Sequence, residues 1–265
     1  MACLLRLFQW LLFVCWAVHS APVAALEGAS VDPPGASERG TPWIDNIGPD
    51  TYGSWRGHVA VSHAQNWSVA QGADGRLYVA NQEGLLAYDG ERWNAIPVGV
   101  SQATGRRSKR VLSVGRLPDG HPDAGRILVA AEGTFGVLRP DSLGRSSFVA
   151  LSDRLPQDER DLGIVWKTSA TSRAGYFLTG RRLFRWADDS LHVWTTADLS
   201  LPSDEPPTDI APPEDREFFF SFVVRDTLYV QVRGVGLFRA EGTRLRLLPD
   251  GRRFADDGIY AILPH

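Results

Sequence analysis

A group of four short strand-like runs at residues 66–97 constrains the fold of this chain more than any other feature. Asn66–Gln71 is apolar at alternate positions, and three further runs of four or five residues follow it. Turns rich in Asp, Glu and Gly separate the runs, as at Asp74-Gly75. Glycine takes the positive φ that tight hairpin turns require, so the pattern predicts antiparallel strands joined by short turns. Four such strands cannot bury both faces of their sheet, and the sheet therefore needs neighbours.

The same group of four runs recurs three more times along the chain. Aligning the third run of each group on Leu85, Val137, Leu183 and Leu237 gives steps of 52, 46 and 54 residues. A period near fifty with four strands per unit is typical of a β-propeller, whose sheets, or blades, pack around a common axis. A β-sandwich or barrel is the alternative, but its strands need not repeat in groups of four. Helix-like periodicity is missing between the runs, which excludes the α/β folds.

The predicted fold is therefore all-β: a β-propeller built of four-stranded antiparallel blades. We place a partial propeller at 40–265, with blades at 66–98, 111–151, 164–196 and 217–249 and the start of the next at 258–265. A propeller ring must close, or it leaves sheet edges exposed. About four blades and the first strand of a fifth make an incomplete ring, so we expect either part of a longer protein or an interrupted reading frame.

The first 25 residues differ from the rest of the chain. Arg6 is their only charge, and an apolar run at 11–18 is followed by small residues. This is the layout of a secretory signal peptide, because the run is short for a membrane span of about 20 residues. An uncleaved anchor helix is the alternative. We predict a signal peptide at 1–25, a flexible lead-in at 26–39 and an exported, periplasmic protein.

No residue pattern in the sequence predicts a catalytic, cofactor-binding or metal site. Cys3 and Cys15 lie in the signal segment, so the mature chain would have no thiol chemistry. His58 and His63 are the only mature-chain histidines close together, and hydrogen-bonded loop histidines explain them better than a metal pair. The chain lacks a phosphate-binding glycine loop and a Gly-x-Ser-x-Gly nucleophile motif. Its net charge of −3 argues against a nucleic-acid surface.

Two further groups of residues have ordinary structural interpretations. The adjacent acids Asp188-Asp189 and Asp256-Asp257 would point to opposite faces of a strand, so we assign them to turns rather than to acid–base catalysis. Aromatic residues on predicted strands fit packing between blades, with a sugar-stacking platform as the alternative. These aromatic residues are Trp67, Trp93, Trp166, Trp186, Trp194, Phe148, Phe219 and Tyr229. The sequence leaves the ligand-binding residues unknown.

Segments of the first unit resemble a known family. Residues 65–71, 75–81 and 84–90, followed by Trp93, look like the first blade of the two-component regulator propeller family. Members of that family are extracytoplasmic sensor domains of bacterial signalling proteins, including hybrid histidine kinases. Residues 132–138 with 140–144 are similar to the second blade, and 258–264 fits a later one. The likeness extends from about residue 40 to the end of the chain.

The resemblance implies a seven-bladed periplasmic propeller, then an immunoglobulin-like domain, one membrane helix and a cytoplasmic output such as a histidine kinase or a cyclase. It implies a ligand-sensing region without enzymatic activity or cofactor in this chain. The expected partner is a small molecule or an oligosaccharide, with no nucleic acid. The membrane would be reached only through a missing downstream segment, and a homodimer of the full-length protein is expected. A propeller-fold carbohydrate-active enzyme and a passive protein-interaction module are the alternatives.

Overall fold

The computed structural model describes residues 46–53, 63–99, 109–142, 144–201 and 210–263. Nearly all regular structure in these ranges is β-strand. The exceptions are one short helix, α1 (Pro49–Gly53), and 3₁₀ turns at Ser152–Arg154, Gln157–Glu159, Pro213–Asp215 and Gly251–Phe254. Within the described ranges, no helix has the length and apolar character needed to cross a membrane.

The first two sheets each contain four consecutive strands that pair antiparallel in chain order. The first sheet contains β1 (Asn66–Gln71), β2 (Leu77–Asn81), β3 (Gly84–Tyr88) and β4 (Trp93–Ile96). The second sheet contains β5 (Val111–Arg116), β6 (Ile127–Ala131), β7 (Thr134–Pro140) and β8 (Ser146–Ala150). Each sheet is thus a meander of hairpins, as the turn pattern predicts.

The third and fourth sheets repeat this meander, and the fourth gains an extra strand. The third contains β9 (Lys167–Thr171), β10 (Ala174–Leu178), β11 (Arg182–Ala187) and β12 (Ser190–Thr195). The fourth contains β13 (Leu199–Ser200), β14 (Glu217–Val224), β15 (Thr227–Arg233), β16 (Gly236–Glu241) and β17 (Arg244–Leu247). The sequence predicts four strands here, whereas β13, from the preceding linker, pairs parallel with β17 and covers the outer edge of the sheet.

Two of the hairpins turn through pairs of residues with positive φ. Asp188 and Asp189 (φ 50° and 56°) join β11 to β12, and Arg225 and Asp226 (φ 48° and 59°) join β14 to β15. Two-residue turns with positive φ at both positions match the right-handed twist of the flanking strands. Asp188-Asp189 therefore lies in a turn, as predicted.

The first strands of successive meanders contact one another and are linked through hydroxyl groups. Ser68 Oγ accepts a hydrogen bond from a backbone N–H of β5 (2.8 Å). The hydroxyls of Ser113 and Thr168 are hydrogen-bonded (3.0 Å), and so are those of Ser169 and Ser221 (2.9 Å). The strands β1, β5, β9 and β14 therefore follow one another along one side of the molecule, as the inner strands of propeller blades do. The predicted fold class is confirmed.

Apolar clusters fill the seams between successive blades. At the seam between the second and third blades, the Phe135 ring centroid lies 4.5 Å from that of Phe177 and 4.7 Å from that of Phe184. All three side chains are fully buried. At the next seam, Trp194 Nε1 donates a hydrogen bond to the Thr243 carbonyl oxygen (2.6 Å). The core of the molecule is therefore a series of layers between blades.

Removal of the Ser113 hydroxyl should weaken the seam between the second and third blades. Ser113 is buried, and its Oγ accepts a hydrogen bond from the Thr168 N–H (3.0 Å). In Ser113→Ala this N–H loses its acceptor, so we expect the free energy of unfolding to fall by about 1–3 kcal/mol in urea unfolding. The control is Ser142→Ala in an exposed turn, which we expect to change it by less than about 0.5 kcal/mol. Equal losses in the two variants would contradict the role given to Ser113.

The start of the third blade differs from its prediction. The sequence predicts a strand from residue 164, but β9 begins at Lys167, and Ile164 forms only an isolated bridge with Glu132. Glu132 follows β6 of the second blade, so the bridge ties the linker to that blade. The Trp166 N–H then donates to the Leu178 carbonyl oxygen (2.8 Å). Trp166 is therefore a linker residue rather than a strand residue.

The segment 258–263, predicted to begin a fifth blade, is not a strand in the structure. The Ile259 N–H donates to Gln231 Oε1 (2.9 Å), and the Tyr260 ring lies 5.6 Å from Phe219 and 5.8 Å from Phe220. The segment thus packs against the fourth blade. A strand requires ladder hydrogen bonds to a neighbour, and the described ranges contain no second strand of a fifth blade to supply them.

Helix α1 precedes the first blade. Its Tyr52 is buried against the first blade, with the ring 5.7 Å from Trp93, and Tyr52 Oη donates to the His63 carbonyl oxygen (2.7 Å). Other predicted features lie outside the described residues: the signal peptide at 1–25, the lead-in at 26–39 and His58.

Candidate functional site

A cleft of about 620 Å³ opens where three connections of the third and fourth blades meet. Its walls are the linker before β9, the β10–β11 turn and the linker before β14. We call it the Trp166 cleft, and its lining residues are Asp161, Leu162, Gly163, Ile164, Trp166, Thr179, Gly180, Arg181, Arg182, Glu214, Asp215, Arg216 and Glu217. The volume lies within the range of small-ligand sites.

The β10–β11 turn forms the middle wall and is fixed by one buried hydroxyl. Thr179 Oγ1 accepts hydrogen bonds from the Arg181 N–H (3.3 Å) and the Arg182 N–H (2.8 Å). The Gly180 carbonyl oxygen accepts a hydrogen bond from the Phe218 N–H of the fourth blade (2.8 Å). A Cβ at position 180 would lie 2.9 Å from Glu217 Oε1, the end of a flexible side chain that can move aside.

Arginine side chains hold the two linkers in place. The Arg182 guanidinium donates to the carbonyl oxygens of Glu159 (2.7 Å) and Asp161 (2.6 Å) in the linker before β9. The Arg216 guanidinium donates to the carbonyl oxygens of Ala211 (2.8 Å) and Thr196 (3.3 Å). Charge-assisted hydrogen bonds of this kind order irregular backbone before a ligand arrives, which lowers the entropic penalty of binding.

Trp166 supplies the exposed aromatic surface of the cleft. The adjacent Val165 is fully buried in the seam between the second and third blades, whereas the Trp166 side chain is 49% exposed. The indole is therefore half open to solvent at the wall of the cleft. It offers a flat apolar face that can stack on a ring of similar size.

Charged groups of both signs flank this ring. The guanidinium of Arg181 and the carboxylates of Asp161, Glu214 and Asp215 have no hydrogen-bond or ion-pair partner within the described ranges. Glu217 lies 3.8 Å from Arg233 across the fourth blade. The lining contains three arginines and four carboxylates, so it has no strong net charge. Such a lining can donate to and accept from a neutral, hydroxyl-rich ligand.

A second cleft of about 720 Å³ lies between the outer strands of the first two blades. Its charged groups are already used: the Arg145 guanidinium pairs with the Asp141 carboxylate (2.9 Å), and Asp89 accepts two backbone N–H bonds that lower its pKa. At the adjoining seam, burial raises the pKa of Tyr78, whose hydroxyl is bonded to Asp74. Since these groups satisfy one another, we regard this cleft as a structural seam.

The structure separates the aromatic residues that the sequence groups together. Trp186 and Trp194 are buried between blades, and Trp93 stacks on Tyr88 with ring centroids 4.7 Å apart. Trp67 is 44% exposed, but it does not line the Trp166 cleft. Burial between blades is therefore the role of Trp186 and Trp194, and Trp166 alone of this set lies in the Trp166 cleft.

Of the two neighbouring histidines, His58 lies outside the described residues and His63 lies in the segment before β1. His63 is exposed, and its Nδ1 accepts a hydrogen bond from the Gln65 N–H (3.0 Å). No group of three or more His, Cys, Asp or Glu residues within the described ranges is placed to hold a metal ion. Sequence reasoning missed Arg181, Glu214 and Asp215, because each lies in a turn or linker without a motif. Of the lining residues, the sequence analysis singled out only Trp166, as one of eight aromatic residues on predicted strands.

The sequence matches no protein-family model and no curated protein. Solved structures do resemble the chain. The extracellular domain of BT3049, a protein of B. thetaiotaomicron assigned to the hybrid two-component systems, matches with a TM-score of 0.51 over 76% of this chain and 26% of that chain, at 15% identity. The extracellular domain of BT4673, a protein of the same organism that is also assigned to the hybrid two-component systems, matches with a TM-score of 0.45. This match covers 69% of this chain and 21% of that chain, at 13% identity.

The likeness to BT3049 shows the fold, since its identity is only 15%. This chain spans about a quarter of the length of that domain. The neighbour agrees with the resemblance of residues 65–93 to the two-component regulator propeller family. The described residues therefore share their fold with part of that domain.

Proposed function

We propose that this chain is the ligand-sensing propeller region of an exported bacterial signalling protein, and that the Trp166 cleft binds an oligosaccharide. The observation that carries the proposal is a half-exposed tryptophan between a guanidinium and carboxylates that are unpaired within the described part of the chain, in a cleft whose walls are already fixed. Loops at one end of a rigid scaffold are common places for binding residues.

The chemistry of the cleft favours a neutral sugar chain. A pyranose ring has an apolar face that can stack on the Trp166 indole, and its rim of hydroxyls both donates and accepts hydrogen bonds. Arg181 can donate to these hydroxyls, while Glu214 and Asp215 can accept from them. A strongly charged ligand would meet groups of its own sign, because the lining carries both.

The proposed signalling role is based on the solved structures that resemble this chain. The BT3049 and BT4673 structures are extracellular domains of proteins assigned to two-component systems, which supports a sensing role and an exported, periplasmic location. We infer that the chain acts together with an output domain of the same signalling protein. Ligand binding here would bias the conformation passed to that output.

The test is a thermal-shift and calorimetric screen of the full chain against neutral and acidic oligosaccharides. A ligand of the folded state raises the unfolding midpoint by mass action, so a neutral oligosaccharide should raise it. We expect Trp166→Ala to weaken that binding about 30-fold or more, because truncating a central aromatic anchor removes about 2 kcal/mol. Trp67→Ala is the matched control, since Trp67 is similarly exposed but lies outside the cleft.

Three results would overturn the proposal. If Trp166→Ala and Trp67→Ala weaken oligosaccharide binding equally, the ligand does not bind in the Trp166 cleft. Binding of acidic chains alone would contradict the neutral ligand. Release of new reducing ends from a bound sugar chain would show that the protein is a carbohydrate-active enzyme and not only a sensor.

A further inference from the structure

His121 lies in the loop between β5 and β6 and crosses the seam to the third blade. Its side chain is 7% exposed, and its ring stacks on that of Trp186 with centroids 6.2 Å apart. Trp186 belongs to β11 and is itself buried in the seam. The contact joins residues 65 positions apart and lies at the opposite ends of the strands from the Trp166 cleft. It therefore concerns how the blades are held together and not the ligand site.

The loop fixes the protonation state of this imidazole. His121 Nδ1 accepts a hydrogen bond from the Asp123 N–H (2.9 Å), so Nδ1 carries no proton and the neutral ring carries its proton on Nε2. Nε2 is buried and has no hydrogen-bond partner within the described ranges. A second proton would have to enter at Nδ1, where it would face the Asp123 N–H and break the turn. It would also place a cation in the seam without an acceptor for its Nε2–H.

The charged neighbours do not compensate for burial. Asp123 and Arg126 face the ring from its own loop and are paired with each other (2.8 Å), and Asp188 faces it from the β11–β12 turn. The two carboxylates favour the imidazolium, whereas Arg126 and above all burial oppose it. Burial is the largest of these effects, so the pKa of His121 lies below its usual range.

We propose that His121 makes the seam between the second and third blades a pH-sensitive contact: mild acid protonates Nδ1, breaks its bond to the Asp123 N–H and releases the 117–126 loop from Trp186. The unfolded chain takes up this proton near pH 6.5, whereas the folded seam takes it up only at lower pH. The contribution of this contact to the free energy of unfolding is therefore fully present above about pH 6.5. It is lost as pH falls from there to the lower pKa of His121 in the folded state.

The test compares the full chain with His121→Asn between pH 7.5 and 5.0. Asn can accept the same i+2 N–H bond through Oδ1 but does not titrate, so it preserves the turn. We expect the folding equilibrium constant of the wild type to fall by up to about tenfold per pH unit below pH 6.5, and that of His121→Asn to lack this component. Hydrogen exchange of the Asp123 and Gly125 amides should show the opening at pH 5.5 in the wild type only.

His63→Asn is the matched control. His63 Nδ1 accepts the same kind of i+2 bond from the Gln65 N–H, but the side chain is exposed and has no aromatic partner among the residues that the structure describes. This variant should keep the pH dependence of the wild type. Parallel loss of stability in the wild type and His121→Asn would overturn the proposal. If His121→Asn does not fold, the NMR titration of the wild-type imidazole decides instead, since a midpoint at or above about pH 6.5 contradicts a buried neutral ring.

Discussion

Phe135→Ala should lower the free energy of unfolding by about 3–5 kcal/mol, the largest effect that we expect from a single truncation in this chain. Phe135 is fully buried at the seam between the second and third blades, and its ring contacts Phe177 and Phe184 across that seam. Truncation removes the apolar contact, leaves a cavity and breaks two aromatic pairs. Urea unfolding at constant slope measures the loss.

Two variants control this experiment. Phe135→Leu keeps most of the volume and should lose clearly less than Phe135→Ala. Val69→Ala truncates a side chain that is 63% exposed, so it should change the free energy of unfolding by less than about 0.5 kcal/mol. If Phe135→Ala loses under 1 kcal/mol, the two blades are not held by this cluster, and the layered core described above is wrong.

Gly136→Ala should destabilise the second blade by about 3 kcal/mol through strain rather than through lost contact. A Cβ at this position would lie 2.1 Å from the Val149 carbonyl oxygen and 2.9 Å from the Phe148 ring. The first of these atoms belongs to the backbone of β8, so the strand itself must move. We expect a lower urea midpoint and faster hydrogen exchange of the β8 amides, which pair with β7.

Gly144→Asn is the control in the same hairpin. Gly144 has a φ of 74°, and nothing lies within 4 Å of a Cβ built there. Asparagine tolerates this left-handed conformation, so the change should be within about 1 kcal/mol. Equal effects of the two substitutions would mean that conformational preference, and not the contact with β8, restricts these glycines.

Much of the strand pattern could be predicted because it depends on neighbouring residues. Turns such as Asp188-Asp189 and alternating runs such as Asn66–Gln71 act over a few positions. The misplaced start of β9 has a non-local cause: Ile164 bridges to Glu132, 32 residues earlier. The strand β13 escaped prediction for the same reason, since Leu199 and Ser200 pair with a strand more than forty residues later.

The candidate site was less accessible to prediction. Trp166, Trp186 and Trp194 look alike in sequence, yet the structure buries the last two and exposes the first. A blade with neighbours on both sides has two buried faces, so alternation along a strand no longer distinguishes inside from outside. Arg181, Glu214 and Asp215 meet around Trp166 only because two linkers and a turn converge.

The amino-acid order alone determined the four repeating groups of strands and the hairpins within them, because both follow from local alternation and turn chemistry. The tertiary structure alone decided which side chains meet across the seams, such as His121 with Trp186, and which aromatic ring stays open to solvent. Those outcomes depend on contacts between blades about fifty residues apart, and no local pattern in a sequence encodes them.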